Sequence, residues 1–112
     1  MGIYGAVQFL PAATPATCPA TAFPLPGGTL ENLDVTLSAV PGGGASYEFI
    51  VLLNGAVQLL ACSVSGTGTP PQCSDTTHKV TVVAGDTLTV LAIPSTTAPS
   101  KASAFWSVQF LP

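Results

Sequence analysis

The chain has 112 residues and a mass of 11.2 kDa, the size of a single domain, and 47% of it is apolar, enough for a real core. Only 6% of the residues are charged: two lysines, five acidic residues and no arginine, for a net charge of −3. An ordinary domain carries about 25%. Nucleic-acid binding requires a cluster of basic residues to neutralise phosphates, and a polybasic membrane anchor requires the same, so neither partner is expected. A surface made mainly of Thr, Ser, Ala, Gly and Pro repels its neighbours weakly, which favours packed assembly over a free monomer.

The first element is the apolar run Ile3-Tyr4-Gly5-Ala6-Val7-Gln8-Phe9-Leu10. No basic segment precedes it and Pro11 follows, so it reads as a strand and not as a secretory signal peptide. No stretch reaches the ~20 apolar residues of a membrane helix. Prolines punctuate the chain from Pro11 to Pro26 and exclude a helix or a central strand, leaving an extended connector or arm. The expected organisation is a strand and Pro-rich arm over residues 1–22, then a β-sandwich over 23–112.

Beyond the arm, turn signals separate runs of β-formers. In LENLDVTLSAV, Leu33, Val35 and Leu37 alternate with Asp34 and Thr36, and the run ends at Pro41-Gly42-Gly43-Gly44. Asn54-Gly55 is the favoured pair for a two-residue type I′ turn, so Tyr47–Leu53 and Ala56–Val64 are expected to form a hairpin. Its first arm is almost continuously apolar, which suits burial on both faces or contact with a neighbouring subunit. In THKVTVVAGDTLTVLAIP, alternation on both sides of Ala84-Gly85-Asp86 predicts a second hairpin with Gly85 in a left-handed conformation. The last strand carries Trp106, Val108 and Phe110 on one face. About seven or eight evenly spaced strands indicate an all-β, antiparallel, jelly-roll-like sandwich.

The pentapeptide VQFLP occurs twice, at 7–11 and at 108–112. Strand side chains alternate with period two, so both copies present Val and Phe to one side and Gln to the other. Two readings follow: the terminal strands pair within one domain, or residues 3–10, with Ile3, Tyr4, Val7 and Phe9, form an assembly strand that fills a site on the next subunit.

Little in the chain points to chemistry. His78 is single, and three cysteines and five scattered carboxylates show no metal-ligand spacing, so no metal or cofactor is expected. Glu31, Asp34 and Glu48 lack the signs of a sugar cleft, and no nucleophile elbow, P-loop or dinucleotide fingerprint is present. No catalytic residues are assigned and no enzyme is expected. Cys62 and Cys73 bracket the loop SVSGTGTPPQ, where a disulfide would restrain a segment with little packing of its own. Cys18–Cys62 and Cys18–Cys73 are the rival pairings. An odd cysteine on an arm is also placed to crosslink subunits.

Residues 24–112 resemble small β-domains of bacteriophage structural proteins and bacterial surface proteins. The resemblance lies in Gly28-Thr29-Leu30, Ser46-Tyr47 with Phe49, Asn54-Gly55, Ser74-Asp75-Thr76-Thr77-His78, Ala84-Gly85-Asp86 and the closing strand Phe105–Phe110. It implies a jelly-roll sandwich broadly similar to tumour-necrosis-factor-like trimers, serving as head-decoration, fibre or spore-appendage subunits. The expected function is therefore a non-enzymatic structural subunit that assembles with copies of itself, at a virion or at an extracellular or spore surface. The alternative is a receptor- or glycan-binding module, with loops 41–46, 65–74 and 95–101 gathered at one end.

Overall fold

The computed structural model describes residues 26–112 in full and, before them, the backbone of strands Gly2–Phe9 and Ala16–Pro19. The side chains of Ile3, Tyr4, Val7, Phe9 and Cys18, and the Pro-rich stretches around those strands, lie outside the described residues. Nine strands follow one another: β1 (Gly2–Phe9), β2 (Ala16–Pro19), β3 (Gly28–Leu37), β4 (Gly42–Leu53), β5 (Ala56–Gly66), β6 (Gln72–Asp75), β7 (Val80–Val82), β8 (Leu88–Pro94) and β9 (Ser103–Leu111).

The strands form two antiparallel sheets. The first runs β1-β9-β3-β6, with β7 also paired to β3; the second runs β2-β8-β4-β5. β6 and β7 lie in line, since β6 pairs with Leu33–Thr36 and β7 with Gly28–Leu30 of the same strand. The pairing has a simple logic. Starting from Asn54-Gly55, β4 pairs with β5, β3 with β6 and β7, β2 with β8, and β1 with β9. The chain is one long hairpin rolled into two sheets, and cross-pairs β3–β9 and β4–β8 close the roll. This is the jelly-roll topology.

The tip of the roll is fixed by local chemistry. Asn54 and Gly55 have φ of 52° and 80°, the left-handed pair that a type I′ turn requires. The Asn54 side chain donates to Asp86 Oδ1 (2.8 Å) and accepts from the Thr87 N–H (3.0 Å). The hairpin tip is thereby tied to the corner between β7 and β8.

That corner departs from the expected second hairpin. Gly85 does take a positive φ, 99°, and the Asp86 N–H donates to Val83 O while Asp86 Oδ2 accepts from the Val83 N–H. Yet β7 pairs with β3 and β8 with β4, in different sheets. Alternation looks the same whether two runs face each other in one sheet or face each other across a core, and here Val80, Val82, Leu88 and Val90 all point into the core. Two further strands lie where the sequence suggested connectors. β6 occupies part of the Gly/Pro loop, and β2 lies in the Pro-rich segment as an edge strand, the place in a sheet where proline is tolerated.

Inward side chains alternate along each strand. Leu33, Val35 and Leu37 face in while Asp34 and Thr36 face out, as the sequence pattern required. Leu30 is buried as well because a β-bulge at Asn32 (φ 54°) resets the alternation; Asn32 Nδ2 donates to Gln109 Oε1 at 2.6 Å. The core includes Tyr47, Phe49, Leu60, Trp106, Val108 and Phe110, and burying each large aliphatic or phenyl side chain stabilises the fold by roughly 1.5–3 kcal/mol. Tyr47 reaches the rim, where its hydroxyl donates to Ser100 O at 3.0 Å. Gly28 admits no larger residue: a Cβ there would meet Leu111 O and come within 2.7 Å of the Phe110 ring.

Candidate assembly surfaces

One open side of the sandwich, between β5 and β6, is stapled twice. Cys62 on β5 and Cys73 on β6 form a disulfide, their Cα atoms 5.8 Å apart. Beside it, Asp75 is buried at the end of β6 and accepts four hydrogen bonds. Oδ2 takes the Ala61 N–H of β5 (3.1 Å) and His78 Nδ1 (2.8 Å); Oδ1 takes the Thr77 N–H (2.9 Å) and the His78 N–H (3.1 Å). Burial pushes this carboxyl up, but the three backbone N–H groups and the imidazole outweigh it and hold Asp75 well below the usual carboxylate range. An ionised carboxylate only accepts, so Nδ1 of His78 carries the proton in this contact. The sequence shows His78 as a single histidine three residues after Asp75; the structure makes Asp75 the anchor. Its detectable signal was the Asp-Thr-Thr-His pattern, since Asp readily accepts from N–H groups two and three residues on.

On the opposite side lie both strands of the N-terminal segment. β1 is the edge of the first sheet and β2 the edge of the second. β1 pairs with β9 of the same chain, Gly2 opposite Gln109, Ile3 opposite Val108 and Ala6 opposite Phe105; the register then shifts so that Phe9 lies opposite Ser103. Because the strands are antiparallel, Phe9 of the first copy and Val108 of the second lie towards opposite ends of this ladder. Cys18 stands opposite Val90 in the β2–β8 pairing. Trp106, Val108 and Phe110 are core residues, and Phe105, just before them on β9, is 54% exposed on the outer face.

The two outer faces differ in chemistry. On the first sheet they carry Glu31, Asn32, Asp34, Thr36, Ser107 and Gln109, with Glu31 paired to Lys79 at 3.3 Å. On the second sheet, Ile50 lies opposite Leu91 and Ala61, and Glu48 opposite Ile93 and Ser63. Ile50, Leu91 and Ile93 are partly exposed, while Val57 and Leu59 on β5 are 64% and 78% exposed. The almost unbroken apolar run through β4 thus feeds both the core and this outer face.

Of the expected loops 41–46, 65–74 and 95–101, parts belong to β4, β5 and β6, and Gly42 pairs with Gly66. Ser95 N–H bonds Ser46 O, Ser100 N–H bonds Pro41 O, and Leu37 N–H bonds Pro71 O. The three segments contain no aromatic residue. A shallow recess of about 200 Å³ is lined by Asp34, Val35, Thr36, Gln72, Cys73 and Ser74, below the ~300 Å³ at which ligand pockets begin. Among the described residues, no group of three or more His, Cys, Asp or Glu side chains is placed to hold a metal ion.

No protein-family model and no curated protein matches the chain. Among solved structures it is similar to a chain of the acid-stable capsid structure of Helicobacter pylori bacteriophage KHP30, with a TM-score of 0.61 at 10% identity. The match covers 100% of this chain and 89% of that one. At that identity the likeness is one of fold: the whole rolled hairpin, both N-terminal strands included, has a counterpart in a protein of a phage capsid structure.

Proposed function

We propose that this protein is a non-enzymatic structural subunit that assembles with copies of itself into a durable shell or surface layer, with a virion as its setting. The observation that carries this reading is the position of the N-terminal segment. β1 and β2 supply both edge strands on one open side of the sandwich, while the opposite side is crosslinked by Cys62–Cys73 and Asp75. Edge strands expose unpaired N–H and C=O groups, so a strand from one subunit can replace or extend that of another. The segment that makes these edges is the open end of the rolled hairpin, and Pro24 and Pro26 stand in the sequence between it and β3. The capsid setting of the structurally similar chain supports the same reading, as does a surface nearly devoid of charge.

The test uses register partners. Ile3→Cys with Val108→Cys, in a Cys18→Ser background, places two thiols opposite each other on β1 and β9. Oxidation of assembled material followed by a non-reducing gel reads where β1 sits. A ladder of covalent multimers is the expected result for exchanged strands. Crosslinked single chains only, from a preparation that light scattering shows to be monomeric, would refute the subunit reading. The receptor- or glycan-binding alternative gains no support from segments 41–46, 65–74 and 95–101, which lack the aromatic rings that stack on sugars.

A further inference from the structure

Among the described residues, no element packs on the outer face of the second sheet. It presents Ile50, Leu91 and Ile93 in the middle and Val57 and Leu59 on β5, with Glu48 as its charged side chain. The first sheet covers the same core and presents Glu31, Asp34, Thr36, Ser107 and Gln109 outward, with Phe105 and Leu111 as its exposed apolar side chains. The second face is the more aliphatic of the two, and contiguous exposed apolar surface marks an interaction site.

Size and charge point to what covers it. Four strands at about 4.8 Å spacing, several of them 7–12 residues long at about 3.3 Å per residue, make a face of roughly 19 by 30 Å. That is on the order of 600 Å² in projection, before side-chain relief, close to the ~800 Å² that each partner gives to a standard interface. A sheet of aliphatic side chains packs best on another like it, as the two inner faces do in this core. Charge permits a second copy. Glu31 and Asp34 lie on the first sheet, Asp75 at the β5–β6 side and Asp86 at the tip corner, so copies joined through their second sheets keep most acids apart. Four stacked sheets at about 10 Å each put the two polar faces roughly 30 Å apart, well beyond the ~8 Å screening length of physiological salt. Joining through the first sheets would bring Asp34 and the Glu31–Lys79 pair of both copies together, while joining through the second sheets brings only Glu48 of each to the contact.

We infer that two copies of this chain pack back to back through the aliphatic outer faces of their second sheets, burying Ile50, Val57, Leu59, Leu91 and Ile93. This rests on the self-assembly reading and names a contact distinct from the N-terminal edge. Sedimentation equilibrium of the full chain tests it, alongside Leu59→Glu and, as a control on the other face, Phe105→Glu. Both positions are exposed, so neither variant disturbs the core, and fluorescence of Trp106 checks folding. Self-association of the full chain should weaken by about tenfold or more in Leu59→Glu, equivalent to at least about 1.4 kcal/mol, and change little in Phe105→Glu. Unchanged association in Leu59→Glu, or weakening in Phe105→Glu alone, would overturn the inference. If association survives Leu59→Glu but the β1–β9 cysteine pair still gives a covalent ladder, the subunit reading stands and only this face is excluded. A full chain that is monomeric at its highest soluble concentration removes both.

Discussion

Replacing Asp75 by Asn removes one negative charge and changes nothing else in size. In the wild type, Oδ1 accepts from the Thr77 and His78 N–H groups and Oδ2 from the Ala61 N–H and His78 Nδ1. An amide keeps one oxygen and turns the other into a donor. If the oxygen stays with Thr77 and His78, the new NH₂ faces the Ala61 N–H, donor against donor. The imidazole adapts by shifting its proton to Nε2, but Ala61 cannot. A buried N–H left without an acceptor costs about 1–3 kcal/mol, and the loss of charge-assisted bonds adds to it. A net destabilisation of about 2–3 kcal/mol is expected, lowering Tm by roughly 10–20 °C for a domain of this size. The pH dependence supplies a second signature. The folded carboxyl lies below its unfolded value, so its contribution is complete above the unfolded value of about 3.9 and is withdrawn as pH falls from there toward the folded value. Urea unfolding followed by Trp106 fluorescence should show wild-type stability falling below about pH 4, with a clearly shallower fall in Asp75→Asn. A variant within about 0.5 kcal/mol of wild type at neutral pH, or an identical pH profile for both proteins, would refute the four-bond anchor.

Three further outcomes follow from the geometry. Cys62→Ala with Cys73→Ala frees a loop of about a dozen residues and should cost about 3 kcal/mol in chemical denaturation, with the native fold retained by circular dichroism. Gly28→Ala drives a methyl group into Leu111 O and the Phe110 ring, so β3 and β9 must separate locally. Its expected cost is about 2 kcal/mol or more, and amide exchange should accelerate at Leu30 and Phe110 before it does in the second sheet. Asn54→Ala loses the bonds to Asp86 and Thr87 and places a side chain poorly suited to positive φ at the tip, a cost of about 1–2 kcal/mol readable by thermal melting. Asn54→Gly restores the backbone freedom and should recover part of that loss.

The first hairpin was legible because its information is local: Asn54-Gly55 fixes the turn and the flanking residues fix the alternation. The inward residues of β3 and β9 were legible for the same reason. The partners of β7 and β8 were not, because Val80, Val82, Leu88 and Val90 alternate identically for a hairpin and for a corner that crosses the core. What decides between them is the rest of the roll, in which β3 and β4 already offer edges in opposite sheets. β6 was hidden by its own composition, since a Gly/Pro-rich run precedes four residues whose pairing with β3 and disulfide to β5 are long-range. Asp75 was visible as a residue beside His78, but its bond to Ala61 spans the gap between two sheets and no spacing in the chain announces it. The aliphatic outer face was half visible. The run Tyr47–Leu53 carried too many apolar residues for a strand with one wet side, and of these Ile50 lies partly exposed on the outer face, with Val57 and Leu59.

Electron microscopy of the purified full chain, concentrated without reductant, tests self-assembly most directly. Closed particles, sheets or filaments with a regular repeat of one or two jelly rolls are the predicted result. A uniform field of separate single domains at every concentration, matched by a light-scattering mass of one 11.2 kDa chain, would contradict it.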